Sequence, residues 1–110
     1  MTALLSVTLL ALGLDIRYGL FSGQGCRLPV LMYHHFTDEP ELGTMVSSGR
    51  FREQMAALQE AGFQTVTLPQ VREYVYSGAP LPEKPVLITM DDGYASNLTI
   101  AAPVLEELGF

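Results

Sequence analysis

Two adjacent carboxylates, Asp91 and Asp92, are the residues of this sequence whose type and spacing could do chemistry. They follow the apolar run of residues 86–90 and precede Gly93. Two ionised carboxylates in contact repel each other, and burial raises the pKa of at least one of them. A bound cation reverses this energetic cost, because its positive charge compensates the two negative charges. In such a pair, one aspartate would bind a metal ion while the other takes a proton from water. The pair therefore suggests a metal-dependent active site at the end of a strand.

A tight turn is the alternative explanation of the same residues, because Asp and Gly are both favoured in turns. Gly93 would permit a sharp turn and a close approach of the backbone to a ligand under either interpretation. A glycosidase pair fits less well, because its carboxylates must flank a glycosidic bond with about 5 Å or more between them. A cation-binding or phosphotransfer domain would use the same pair, but the phosphate-cradling glycines that it requires are absent from the sequence.

The elements that must position this pair alternate between strands and helices. Short, apolar, β-prone runs predict strands at residues 29–36, 63–68 and 86–90. A long polar loop is predicted at residues 37–49, ahead of the first helix. This alternation is typical of an α/β fold with a parallel sheet, in which ligands lie beyond the carboxyl ends of the strands. Asp91 and His34 both lie at such ends.

Residues that typically begin and end helices predict three helices. Ser47 or Ser48 caps the first, Thr67 the second, and Ser96 or Asn97 the third, and the glycines that end them are Gly62, Gly78 and Gly109. The second helix is expected to bury Val71, Tyr74 and Val75. Pro103 is expected to kink the third helix or to restart it after a break.

Composition excludes several classes of function. The 110 residues suit one domain with a modest core, and 12 acidic against six basic residues give a net charge of −6. The sequence has no basic patch, which argues against a nucleic-acid partner. Cys26 is the single cysteine, so neither an internal disulfide nor a multi-cysteine zinc site is available.

Residues 1–27 form a signal- or anchor-like apolar segment followed by a linker. The apolar run of residues 3–14 has the length of a signal-peptide core and is too short to span a bilayer by itself. No Lys or Arg precedes that run, so a buried helix is the alternative. We expect membrane association through residues 3–21 or cleavage after export, with the protein secreted or held at the cell surface.

The segment "VLITMDDGYASN", residues 86–97, resembles the first catalytic motif of the polysaccharide deacetylases, the NodB-homology domain of carbohydrate esterase family 4. The usual form of the motif is T-F-D-D-G, and Met90 replaces its Phe, one hydrophobic residue for another. Residues 28–36 and 51–68 also resemble the N-terminal half of these enzymes, in the right order. The resemblance covers residues 28–110, and the branch most similar includes the biofilm poly-N-acetylglucosamine deacetylases.

The resemblance implies an α/β fold, namely the N-terminal portion of a distorted (β/α) barrel that is incomplete in this chain. It implies hydrolytic deacetylation of an N-acetylated cell-wall or biofilm polysaccharide. A divalent metal, most often zinc, is held in that family by one Asp and two His. Carried over, the motif makes Asp91 the general base and Asp92 a metal ligand. His34 is expected to line the substrate site or support it, with a hydrogen-bonded structural histidine as the alternative. Tyr94 is expected either to line the sugar cleft or to pack beside the motif.

The sequence departs from the family in its histidines. The H-[ST]-x-x-H motif that supplies two metal ligands is absent, and the only histidines are His34 and His35, of which His35 is expected to face outward. One aspartate alone binds zinc weakly, because affinity comes from several preorganised ligands. We therefore expect this chain to be inactive alone. The alternative is a non-catalytic carbohydrate-binding remnant of such a domain.

Overall fold

The computed structural model describes residues 26–39 and 41–110, and the expected signal or anchor run of residues 3–21 lies outside them. The described strands are β1 (Val30–Tyr33), β2 (His35–Thr37), β3 (Met45–Ser47), β4 (Gln64–Thr65) and β5 (Pro85–Met90). Strands β1, β5 and β4 form one sheet in that order, and β2 pairs with β3. Every one of these described pairings is parallel, which confirms the predicted α/β class.

The helical elements are α1 (Ser48–Glu60), α2 (Leu68–Ser77), a π-helical turn (Asn97–Ala101) and α3 (Ala102–Glu107). The Ser47 side chain accepts a hydrogen bond from the Arg50 N–H and so caps α1, as predicted. Thr67 and Gln70 form a reciprocal capping box at the start of α2. Helix α2 ends at Gly78, whose φ of 68° places it in the left-handed region. None of the described helices is long and apolar enough to cross a bilayer.

The predicted first strand is divided at His34. Strand β1 pairs with β5, while β2 pairs with β3. Residues 45–47 lie inside the segment that was predicted to be a loop, so that prediction was wrong for them. Their short β-prone run pairs with β2 and so satisfies backbone groups that would otherwise be left without partners.

The core lies between β1, β2, α1 and the third helical segment, which consists of the π-helical turn and α3. Its fully buried side chains include Phe36, Phe51 and Met55. The rings of Phe36 and Phe51 are 4.6 Å apart in an edge-on arrangement, and Tyr33 lies edge-on to Phe51 at 5.0 Å. The Tyr33 hydroxyl donates a 2.7 Å hydrogen bond to Gln54 Oε1, and burial raises the pKa of that hydroxyl. Strand β1 is therefore fastened to α1 at the end nearest the predicted site.

Three predictions about the helices need correction. Helix α2 has no fully buried residue: Val71 and Tyr74 are half-buried, and Val75 is 67% exposed. In the third segment neither Ser96 nor Asn97 makes a side-chain cap. Pro103 lies in the first turn of α3, and the helical run continues from the π-helical turn into α3 without a break, so the predicted restart after a break was wrong.

Candidate functional site

The ends of β1 and β5 bring His34 and Asp91 to one edge of the sheet. Tyr33 and Met90 are paired in the parallel register, so the residues that follow them emerge side by side. The Asp91 N–H donates a 2.8 Å hydrogen bond to the Tyr33 carbonyl, which extends the pairing by one residue. The backbone of Asp91 is therefore fixed by the sheet itself. This edge is where ligands bind in parallel α/β folds.

Asp92 has a left-handed backbone. Its φ is 67°, and among the described residues it is the one non-glycine with a positive φ. Gly93 follows with a φ of 61°, so two successive residues make a sharp turn. Left-handed backbone costs most residues about 1–2 kcal/mol, although Asp and Asn tolerate it better. The tight turn that the sequence offered as the alternative to an active site is therefore present. Immediately after β5, side chains no longer point to alternate faces as they do along a strand.

Asp91 and Asp92 are both exposed. Within residues 26–39 and 41–110, no hydrogen bond or salt bridge reaches either carboxylate. A bound cation would neutralise such a pair. The same stretch of chain contains no group of three or more His, Cys, Asp or Glu side chains placed to hold a metal ion. The described residues therefore show no complete metal site, although carboxylate oxygens such as those of Asp91 and Asp92 are a chemical type that binds metal ions.

The two histidines occupy different environments. His34 is half-buried between β1 and β2. His35 is also half-buried, and its ring stacks on Tyr94 with 4.5 Å between ring centroids and 9° between the planes. The expectation that His35 faces outward was wrong. Its partner lies far away in the sequence, so no local pattern indicates the contact.

Ser96 provides a second contact between the same two segments. Its Oγ accepts a 3.0 Å hydrogen bond from the Phe36 N–H, which explains why it does not cap the following helix. The Asn97 N–H donates to the Tyr94 carbonyl at 3.0 Å and closes the turn that leads into the π-helical segment. Short π-helical turns are rare and occur frequently at functional sites.

Similar proteins were found in comparisons of sequence, although no protein-family model matches the chain. The poly-beta-1,6-N-acetyl-D-glucosamine N-deacetylase of Escherichia coli (strain K12) is 41% identical over 78 residues, which are 69% of this chain and 12% of that protein. The polysaccharide deacetylase YxkH of Bacillus subtilis (strain 168) is 37% identical over 83 residues, 76% of this chain and 29% of that protein. The chain thus spans less than a third of these relatives.

Solved structures agree with the sequence comparison. IcaB from Ammonifex degensii superimposes with a TM-score of 0.66 at 34% identity, over 79% of this chain and 36% of that one. The de-N-acetylase from Aggregatibacter actinomycetemcomitans gives a TM-score of 0.69 at 25% identity, over 77% and 35% of the two chains. These similarities confirm the predicted resemblance to the polysaccharide deacetylases. They also confirm that the fold is part of a distorted (β/α) barrel of the deacetylase type.

Proposed function

We propose that this relative of the polysaccharide deacetylases supplies the general base and one metal ligand of a centre that hydrolyses acetyl groups from a polysaccharide. In this proposal Asp91 is the base and Asp92 the ligand. One observation supports these roles most directly. Asp91 is hydrogen-bonded through its backbone to Tyr33 at the carboxyl end of β5, while its carboxylate stays free of any described partner.

The reaction follows from the chemistry of an acetamide. Water adds through its oxygen to the acetyl carbonyl carbon, and Asp91 takes the proton that the water loses. The carbon–nitrogen bond then breaks, and the sugar nitrogen takes the proton held by Asp91 and leaves as an amine. The acetyl group leaves as acetic acid, which gives its proton to water and becomes acetate. A divalent metal, with zinc as the first candidate, supplies polarisation of the carbonyl and a lower pKa for water when it is bound. Asp92 would hold that metal from the adjacent turn position.

An N-acetylated cell-wall or biofilm polysaccharide is the substrate that we propose. It is supported by the 41% identity to a protein named as a poly-beta-1,6-N-acetyl-D-glucosamine N-deacetylase. Tyr94, which is 43% exposed beside the Asp91–Asp92 turn, and His34 at the end of β1 would line or support the sugar cleft. Residues 28–110 would form the deacetylase part and residues 1–27 the export or anchor segment, which places the reaction outside the cytoplasm.

We further propose that the 110-residue chain does not turn over substrate by itself. The described residues offer Asp92 and no complete ligand set, and the sequence contains only the adjacent histidines His34 and His35. Metal affinity depends on several preorganised ligands, so a single aspartate would leave the metal largely unbound. The protein that hydrolyses substrate would therefore contain two further histidine ligands.

A hybrid enzyme tests this function. Residues 28–110 replace the matching segment of the Escherichia coli N-deacetylase, and acetate release from an N-acetylglucosamine polymer is measured. We expect the hybrid to release acetate and the 110-residue chain alone to release none. Activity of the isolated chain at the rate of the hybrid would overturn the proposed inactivity. A folded, zinc-loaded hybrid that binds the polymer without releasing acetate would favour the non-catalytic carbohydrate-binding alternative.

A further inference from the structure

Three contacts join the segment of residues 33–36 to the segment of residues 91–96, and we call them the clasp. The first is the hydrogen bond from the Asp91 N–H to the Tyr33 carbonyl at 2.8 Å. The second is the stack of His35 on Tyr94, and the third is the 3.0 Å hydrogen bond from the Phe36 N–H to Ser96 Oγ. The contacts follow the same order in both segments. The clasp therefore has one contact at the first residue of the Asp91–Gly93 turn and two contacts just after the turn.

The His35 stack is the first of the two clasp contacts that lie just after the turn. Tyr94 is 43% exposed, and His35 is the one aromatic ring that stacks on it among the residues described. Asp92 and Gly93, which separate Tyr94 from Asp91, are exposed and have left-handed backbones. Without the ring of His35, the backbone between Asp91 and Ser96 would lose its only side-chain stacking contact to β2 within the described structure.

We propose that His35 is a positioning residue for the Asp91–Asp92 turn, acting through Tyr94. This inference rests on the proposed function, because the turn is taken to carry the base and the ligand. A stacked ring contributes by its shape and its π surface, so phenylalanine can replace it and alanine cannot. His35 is assigned no contact with metal, substrate or proton. Its loss would therefore lower kcat by displacing the Asp91–Asp92 turn, and it would raise KM through Tyr94, which is proposed to line the sugar cleft.

Hydrogen exchange in the 110-residue chain tests the structural half of the inference. His35→Ala should speed exchange of the hydrogen-bonded amides of Phe36 and Asn97 by about three- to ten-fold, which is the factor expected for the loss of one aromatic pair. His35→Phe should restore the slow exchange. Val75→Ala, at an exposed position of α2, is the matched control and should change nothing in those residues. Equal exchange in His35→Ala and the unmodified chain would overturn the inference.

Kinetics of the hybrid enzyme test the functional half. His35→Ala should lower kcat about three- to ten-fold and raise KM, and His35→Phe should recover most of both losses. A His35→Phe variant as slow as His35→Ala would mean that the imidazole nitrogens act directly, which contradicts the inference. If the unmodified hybrid releases no acetate, the proposed function has failed instead, and hydrogen exchange still decides the role of His35.

Discussion

The backbone N–H of Asp91 is hydrogen-bonded to the carbonyl of Tyr33 at 2.8 Å, across the ends of two paired parallel strands. Tyr33 is in turn held to α1 through its hydroxyl, which donates to Gln54 at 2.7 Å. The proposed general base is therefore anchored to the sheet and, one residue further, to the core. Sites on regular elements hold their geometry more closely than sites on loops.

The left-handed backbone of Asp92 predicts a specific order of stability among its variants. Asp92→Asn should leave the free energy of unfolding nearly unchanged, because Asn tolerates a positive φ as Asp does. Asp92→Val should lower it by about 1–2 kcal/mol, since a branched side chain is strained there. Urea unfolding followed by circular dichroism measures both. Equal stability of the Asn and Val variants would show that the turn does not constrain this position.

The aromatic core predicts a large effect at Phe51, which is 0% exposed. Phe51→Ala should lower the free energy of unfolding by about 3–5 kcal/mol, from lost burial and the cavity left behind. That loss is a large part of the stability of a small domain, so Phe51→Leu, with an expected cost of about 1.5 kcal/mol or less, provides a measurable second variant. Val75→Ala is the control and should change little. A Phe51→Ala variant as stable as the control would contradict the packing described.

The pKa of Glu41 predicts a pH dependence of stability. A hydrogen bond from the Ser47 N–H, followed by the charge of Arg50, lowers that pKa below its ordinary value of 4.5. A lowered pKa in the folded state stabilises the fold above the ordinary value, and this contribution is lost as the pH falls through the lowered pKa.

Glu41→Gln should therefore be less stable than the unmodified chain at neutral pH, and the difference should close as the pH falls below 4.5. Urea midpoints measured across that range check the sign. Sodium chloride should narrow the neutral-pH difference only in part, because salt screens the ion pair with Arg50 more than the short hydrogen bond from the Ser47 N–H. A difference that grows as the medium becomes more acidic would contradict the assigned contacts.

Much of the fold could be predicted from local signals. The caps at Ser47 and Thr67, the left-handed glycine at Gly78 and the buried strand before Asp91 depend on neighbouring residues, and the structure agrees with them. The division of the first strand at His34 and the pairing of residues 45–47 with β2 depend on partners that a local pattern does not specify. The exposure of Val75 has a similar cause, because periodicity gives the apolar face of a helix without the element that covers it.

The position of the Asp91–Asp92 pair directly after β5 was predictable, whereas the contacts around the pair were not. The Asp91–Asp92 pair was identified from its type and its place after an apolar run. Neither the stacking of His35 on Tyr94 nor the hydrogen bond to Ser96 could be inferred, because both join distant parts of the chain. Ser96 was predicted to cap a helix on its residue type alone. In the structure its hydroxyl oxygen instead accepts a hydrogen bond from a backbone N–H of β2.

The division of roles between the two aspartates is the central claim, and zinc binding by the hybrid enzyme tests it most directly. Asp91→Asn should bind zinc as the unmodified hybrid does while acetate release falls by about 10²–10⁴-fold, the usual contribution of a general base. Asp92→Asn should bind zinc at least about tenfold more weakly, because it loses a charged ligand. Isothermal titration of the metal-free hybrid gives both affinities. Equal zinc affinity in the two variants would contradict the assignment of Asp91 as base and Asp92 as ligand.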